Sequence, residues 1–212
     1  MMQAEQTVNQ PPAHSMYRGT FEGLLANVQK CAQVCPTLEK ALEDLSPNGE
    51  LSFKIQWGRG ATCDHTSRVV TLTMGKCACH LTQELVQEVT NMSFAREAAF
   101  LNSAASNGDI SRDTYVKTIE LTEFLGVRNV VKSFDALGET GDLGCEHAFD
   151  KNGAARTYVQ RTTDNTVLAV DLNDEVFNEY FNADFLQNHK ERIGERYYQI
   201  AGNNGWSYPP TD

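Results

Sequence analysis

The sequence predicts a helix-rich α+β fold in which a small β-sheet packs on one central helix, and three observations carry that reading. Apolar residues recur at three and four over long stretches, the helical period; the run Leu51 to Trp57 alternates apolar and polar, the strand period; and the stretch His80 to Asn102, HLTQELVQEVTNMSFAREAAFLN, holds the strongest helical pattern of all. On a helical wheel Leu81, Leu85, Val89 and Met92 fall on one broad side of that stretch, with Gln83 and Gln87 one turn apart on the other.

The chain has 212 residues, 41% of them hydrophobic, which suits a single domain able to bury a real core. No apolar run approaches the roughly 18 residues needed to span a bilayer, so a soluble protein with no membrane span is expected. A net charge of -10 opposes binding to nucleic acid, and no basic patch offsets it. Residues 1–17 are polar and aperiodic and are expected to form a flexible arm. A single domain is expected over 18–200, followed by a tail at 201–212. The opening MMQAEQTVNQPPAHSMYRG has no basic region followed by an apolar one, so no secretory signal peptide is visible.

Taken in order, Phe21, Leu24, Leu25, Val28, Cys31 and Ala32 predict a helix over 20–34, stopped at Pro36. A shorter helix carries Leu38, Ala41, Leu42 and Leu45 and ends at Pro47-Asn48-Gly49. A strand over 51–57 faces Leu51, Phe53, Ile55 and Trp57 inward. After Gly58-Arg59-Gly60, the β-branched run Arg68 to Thr73 predicts a second strand, and Gly75 leads into the central helix.

Asn107-Gly108-Asp109 predicts a turn, with Ser111 and Thr114 as capping oxygens for a helix running to about Leu137 that Gly126 breaks in two. The glycines from Gly138 to Gly153, set among acidic residues, predict a mobile loop. A short hairpin is predicted over 157–161 and 167–172, and a last helix over 173–200 with Val176, Phe177, Tyr180, Phe181, Phe185, Ile193 and Tyr197 as anchors. Tyr197, Tyr198, Trp206 and Tyr208 read first as packing residues, with an aromatic protein-binding patch as the alternative.

The central helix contains one short motif with a chemical reading. Gln83-Glu84-Leu85-Val86-Gln87 has the spacing of H-E-x-x-H, in which two imidazoles one turn apart bind zinc and the glutamate deprotonates the metal-bound water. Here glutamine stands in both ligand positions. An amide oxygen is a weak donor to Zn²⁺ beside imidazole or thiolate, so the pair is expected to bind no metal.

The order Gly58-Arg-Gly60, strand, ELVQEVTN with Phe94 and Phe100, the turn Asn107 to Ser111, and a helix holding Glu120 and Glu123 resembles the zincin-like domains of bacterial secreted effectors and toxins. The resemblance covers about residues 51–125. It implies that Gln83 and Gln87 occupy the ligand positions, Glu84 the general-base position, and Glu120 or Glu123 the third-ligand position. Glutamine at both ligand positions argues against inherited peptidase activity. The function expected on this basis is a catalytically degenerate zincin-like domain that binds protein, needs no cofactor, and is secreted or delivered into a host cell; without delivery it would be cytoplasmic.

Two further constellations compete. Cys63-Asp64-His65 and Cys77-Ala78-Cys79-His80 flank the second predicted strand, and thiolates with imidazoles suit tetrahedral zinc. Yet a straight six-residue strand holds its ends roughly 20 Å apart, which argues for free thiols over one shared site. Cys145-Glu146-His147 in the glycine-rich loop offers a thiol nucleophile, with His65, His80 or His189 as remote base, and would make the chain a cysteine-dependent hydrolase. A metallopeptidase with non-standard ligands is the other enzymatic alternative. Six cysteines are expected to be reduced in a chain that needs no staples to fold; paired, they would make it a disulfide-stabilised secreted binding protein.

Overall fold

A computed structural model describes residues 21–138, 153–159 and 172–202. The fold is α+β, with many helices and one small mixed sheet. Helix α1 (Phe21–Val34) buries Leu24, Leu25, Val28, Cys31 and Ala32 along one stripe. Cys35, in extended conformation, separates it from α2 (Pro36–Leu45), where the proline at the first helical position loses no hydrogen bond because that N–H has no partner inside the helix.

The sheet has strand order β1 (Lys54–Gly58), β3 (Val69–Thr73), β2 (Thr62–Asp64). β1 runs parallel to β3, with Trp57 opposite Leu72; β2 runs antiparallel to β3, with Cys63 opposite Val70. The burial of Leu51, Phe53 and Ile55 follows the alternation in the sequence, although ladder pairing begins only at Lys54. The short β2 has no apolar alternation to announce it. It forms a hairpin with β3 whose turn is closed by Asp64, which accepts from the backbone N–H of Thr66 at 2.8 Å and of Ser67 at 3.1 Å.

The predicted central helix is two helices, α3 (Ala78–Ser93) and α4 (Ala95–Asn107), hinged at Phe94. Leu81, Leu85, Val89 and Met92 are buried as the wheel requires. The opposite side is not a solvated face: Gln83, Glu88, Thr90 and Asn91 are buried too, because α3 is packed by α1, α2, α5 and the sheet. Gly108, in left-handed conformation, ends α4.

α5 (Arg112–Gly138) runs unbroken through Gly126, contrary to expectation. This glycine marks a close helix crossing rather than a break. A Cβ there would meet Gln87 Cγ at 3.1 Å, Asn91 Oδ1 at 3.2 Å and the Gln87 carbonyl at 3.3 Å. α5 is the spine of the molecule, since all three apolar clusters draw on it. Val130, Phe134 and Leu137 join α1, α2, α3 and the sheet; Leu121, Phe124, Val127 and Val131 meet the aromatic side chains of the C-terminal helices; Tyr115 and Val116 pack with Leu101 and Ile193.

Two C-terminal expectations fail. Residues 157–159, assigned to a hairpin, lie in helix α6 (Gly153–Val159). The final helix is interrupted: α7 (Glu175–Phe181) is capped by Asp174, whose carboxylate accepts from Phe177 N, and a 3-10 turn (Asp184–Leu186) leads into α8 (Gln187–Gly202). Phe177 and Tyr180 are buried as anchors, whereas Phe185 is 45% exposed. The expected arm at 1–17, residues 139–152 of the expected glycine-rich loop, residues 167–171 of the hairpin's second strand, Cys145 and the tail with Trp206 and Tyr208 lie outside the described residues; Gly138 ends α5 and Gly153 opens α6. Among the described residues no helix is long and apolar enough to cross a membrane.

Candidate functional site

The polar residues of α3 follow a helical stripe of their own: Glu84, Gln87, Glu88 and Asn91 stand at i, i+3, i+4 and i+7 and therefore share one face. That face is turned toward β2, the end of β3, and α5. Its members find their partners there.

Glu84, at the expected general-base position, holds the sheet to the helix. One carboxylate oxygen accepts from the Thr73 backbone N–H at 2.9 Å and the other from the Thr73 hydroxyl at 2.7 Å. Gln87 and Asn91 both donate to a single oxygen of Glu123, each at 3.1 Å. Of the two candidate third-ligand residues, Glu123 thus meets the Gln87 position. Glu120 does not: it is fully buried and bonded through one oxygen to His189 Nδ1 on α8 at 2.8 Å, its second oxygen having no partner. Gln83 is buried, and its amide nitrogen has no hydrogen-bond partner.

The electrostatics follow from this burial. Glu88 is pushed up to about 8, first by desolvation and then by the Glu123 charge, so it is a neutral acid at pH 7. Desolvation and the charges of Glu88 and Glu123 push the nearby Cys63 thiol well above the ordinary thiol range. Burial and the Arg196 charge lower His65, whose Nε2 lies 3.2 Å from Cys63 Sγ. The hydrogen bond to Glu120 raises His189. Burial, with Glu120 and Glu123 adding to it, raises the Tyr180 phenol. Away from that face a second polar network joins Thr37, Asn129 and Thr90, with Thr90 donating in turn to the Val86 carbonyl at 2.8 Å.

The donor set does not fit zinc. Gln87 directs its N–H, not its carbonyl oxygen, toward Glu123, the arrangement of an amide donating to a carboxylate and not of two groups sharing a cation. Among the described residues no group of three or more His, Cys, Asp or Glu side chains is placed to hold a metal ion. The five cysteine and histidine positions separate into two pairs: Cys63 with His65, and Cys77 with His80, whose Nδ1 lies 2.9 Å from the sulfur. Cys79 joins neither, because it is disulfide-bonded. The expectation of six reduced thiols is corrected at this position, while Cys31, Cys35, Cys63 and Cys77 are free. A cleft of about 440 Å³ between Pro47 and Arg68 contains none of the candidate residues.

Sequence reasoning missed Glu88, Asn91 and the partnership of Glu120 with His189. The first two were detectable as members of a polar stripe in an otherwise apolar helix. The third joins residues 69 positions apart and left no local signal. In comparisons with known proteins the chain matches no family model, no curated protein and no solved structure.

Proposed function

We propose that this chain is a zincin-like domain without zinc catalysis that acts by binding another protein, as a secreted effector or toxin-type protein would. One observation carries the reading: the groups at the second ligand position and at the base position are consumed by internal hydrogen bonds, Gln87 on Glu123 and Glu84 on Thr73. A general base must reach the proton that it removes, and Glu84 has both oxygens committed to the end of β3. The frame is then a scaffold, and recognition falls to its surface. A net charge of -10 favours partners with a basic face.

Metal content and peptidase assays test this. The wild-type protein is expected to contain far less than one zinc per chain and to show no chelator-sensitive peptidase activity. The double substitution Gln83→His, Gln87→His, with Glu123 available as third ligand, is expected to create a zinc site. Stoichiometric zinc or chelator-sensitive proteolysis in the wild type would overturn the reading. A folded double variant that binds no zinc would remove the zincin frame and leave QELVQ as an ordinary helix-packing segment.

A second reading, hydrolase, is favoured by the pair Glu120–His189. A fully buried carboxylate fixes an imidazole whose side chain is 34% exposed, the arrangement that holds a general base toward solvent. Under this reading His189→Ala abolishes hydrolysis of test esters or peptides by the wild-type protein; absence of any such hydrolysis in the wild type removes it.

A further inference from the structure

Four cysteines of the described chain are free thiols, and their surroundings differ enough to rank them. Cys31 and Cys35 are buried in the apolar core at 0% and 2% exposure. Cys63 is partly exposed and has an imidazole at 3.2 Å, but it lies among Glu88 and Glu123, and burial and those charges keep its proton on the sulfur. Its neighbour His65 is a poor proton acceptor for the same reason of burial, reinforced by Arg196.

Cys77 combines three features that none of the others does. It is half-buried at the edge of the core, not enclosed in it as Cys31 and Cys35 are. Its sulfur lies 2.9 Å from Nδ1 of His80, one helical turn ahead. It is the N-cap of the 16-residue helix α3, whose first turn carries no acidic side chain and whose free N–H groups favour a negative charge at that end. The adjacent Cys79 does not compete, being buried and already disulfide-bonded.

We propose that Cys77 and His80 form a reactive-thiol site that undergoes thiol–disulfide exchange with low-molecular-weight disulfides. The thiol proton passes to His80 Nδ1. The sulfur's electron pair then forms a bond to one sulfur of the small disulfide, the disulfide's own S–S bond breaks, and the departing thiolate takes the electron pair and the proton from His80. The products are a mixed disulfide at Cys77 and one small thiol. No oxidant beyond the disulfide is needed, and the role is independent of whether the α3 frame is a zincin's.

The test uses the full chain, unreduced and folded, with 5,5′-dithiobis(2-nitrobenzoic acid) and with oxidised glutathione as probes. One thiol per chain is expected to react in a fast phase, and peptide mapping should place the label on Cys77. Cys77→Ser should remove that phase, and Cys63→Ser should leave it. His80→Ala should slow it by about tenfold near neutral pH and alter its pH–rate profile. Cooperative thermal melting of each variant shows that the fold is retained; His80→Asn serves if the alanine variant does not fold. A fast label on any other cysteine, absence of a fast phase, or an unchanged rate and pH profile in the His80 variants would overturn the proposal.

Discussion

Glu88 shows how burial rewrites a residue. As a glutamate on a helix it reads as a solvated charge, yet it is 7% exposed, beside Cys63 and Asn91, and ionises only near 8. Its pKa in the folded chain is raised above the unfolded value of 4.5, so the folded chain holds a proton that the unfolded chain has released. The stability this group permits is complete below 4.5 and is lost as pH rises toward 8. Glu88→Gln, which keeps the shape and removes the ionisation, is therefore expected to be nearly neutral at pH 5 and stabilising at pH 8.5, by an amount on the order of a few kcal/mol. Urea denaturation at the two pH values checks this; equal effects at both would show that Glu88 is not held neutral. At the same scale, Glu84→Ala removes both bonds to Thr73 and is expected to cost about 1–3 kcal/mol. A general base without a structural role would cost little on removal, so the same measurement separates the two.

Among the elements, α5 and its glycine are the point most open to misreading. Gly126 lowers helix propensity, which reads as a break, but α3 approaches so closely here that an added Cβ would press on Gln87 and Asn91. Gly126→Ala gains about 1 kcal/mol of propensity, whereas overpacking costs about 1–3 kcal/mol. Because the Gln87 carbonyl cannot rotate aside, a net loss of about 1 kcal/mol is expected from the balance of those terms. A rise in the denaturation midpoint would show that the crossing has room. Asp174 is a simpler case: its carboxylate caps α7, and Asp174→Ala is expected to cost about 1 kcal/mol, measured the same way.

For the whole molecule, two raised groups act in the same direction. His189, raised by its bond to Glu120, contributes stability that is present below its unfolded value near 6.5 and is lost as pH rises through the higher folded value. Glu88 loses its share between 4.5 and 8. Above pH 6.5, where the lowered His65 no longer acts in the opposite direction, the melting temperature is therefore expected to fall as pH rises to 8.5, and Glu88→Gln should flatten that slope; a rise across this window would contradict both assignments. The redox expectation also changes. Four thiols should titrate in the denatured, unreduced chain and two more after reduction. Loss of the Cys79 disulfide should lower stability by about 2–5 kcal/mol. Six titrating thiols without reductant would restore the reduced reading.

The sequence by itself determined the class of the fold, the two N-terminal helices, the alternation of β1, the presence of β3, and the apolar side of α3, because these rest on residues a few positions apart whose pattern is local. It also placed Gln83, Glu84 and Gln87 on one helix and set them apart from a working zinc motif. Only the tertiary structure decided that α3 is enclosed on its polar side as well, that Gln87 and Asn91 close on Glu123 while Glu120 turns to His189, and that α5 passes Gly126 without a break. It also separated the cysteine–histidine positions into two pairs and left Cys77 partly exposed while Cys79 is buried in a disulfide. The physical reason is the same in each instance. Burial and partnership are properties of what packs around a side chain, and those neighbours come from segments tens of residues away, where no local spacing records them.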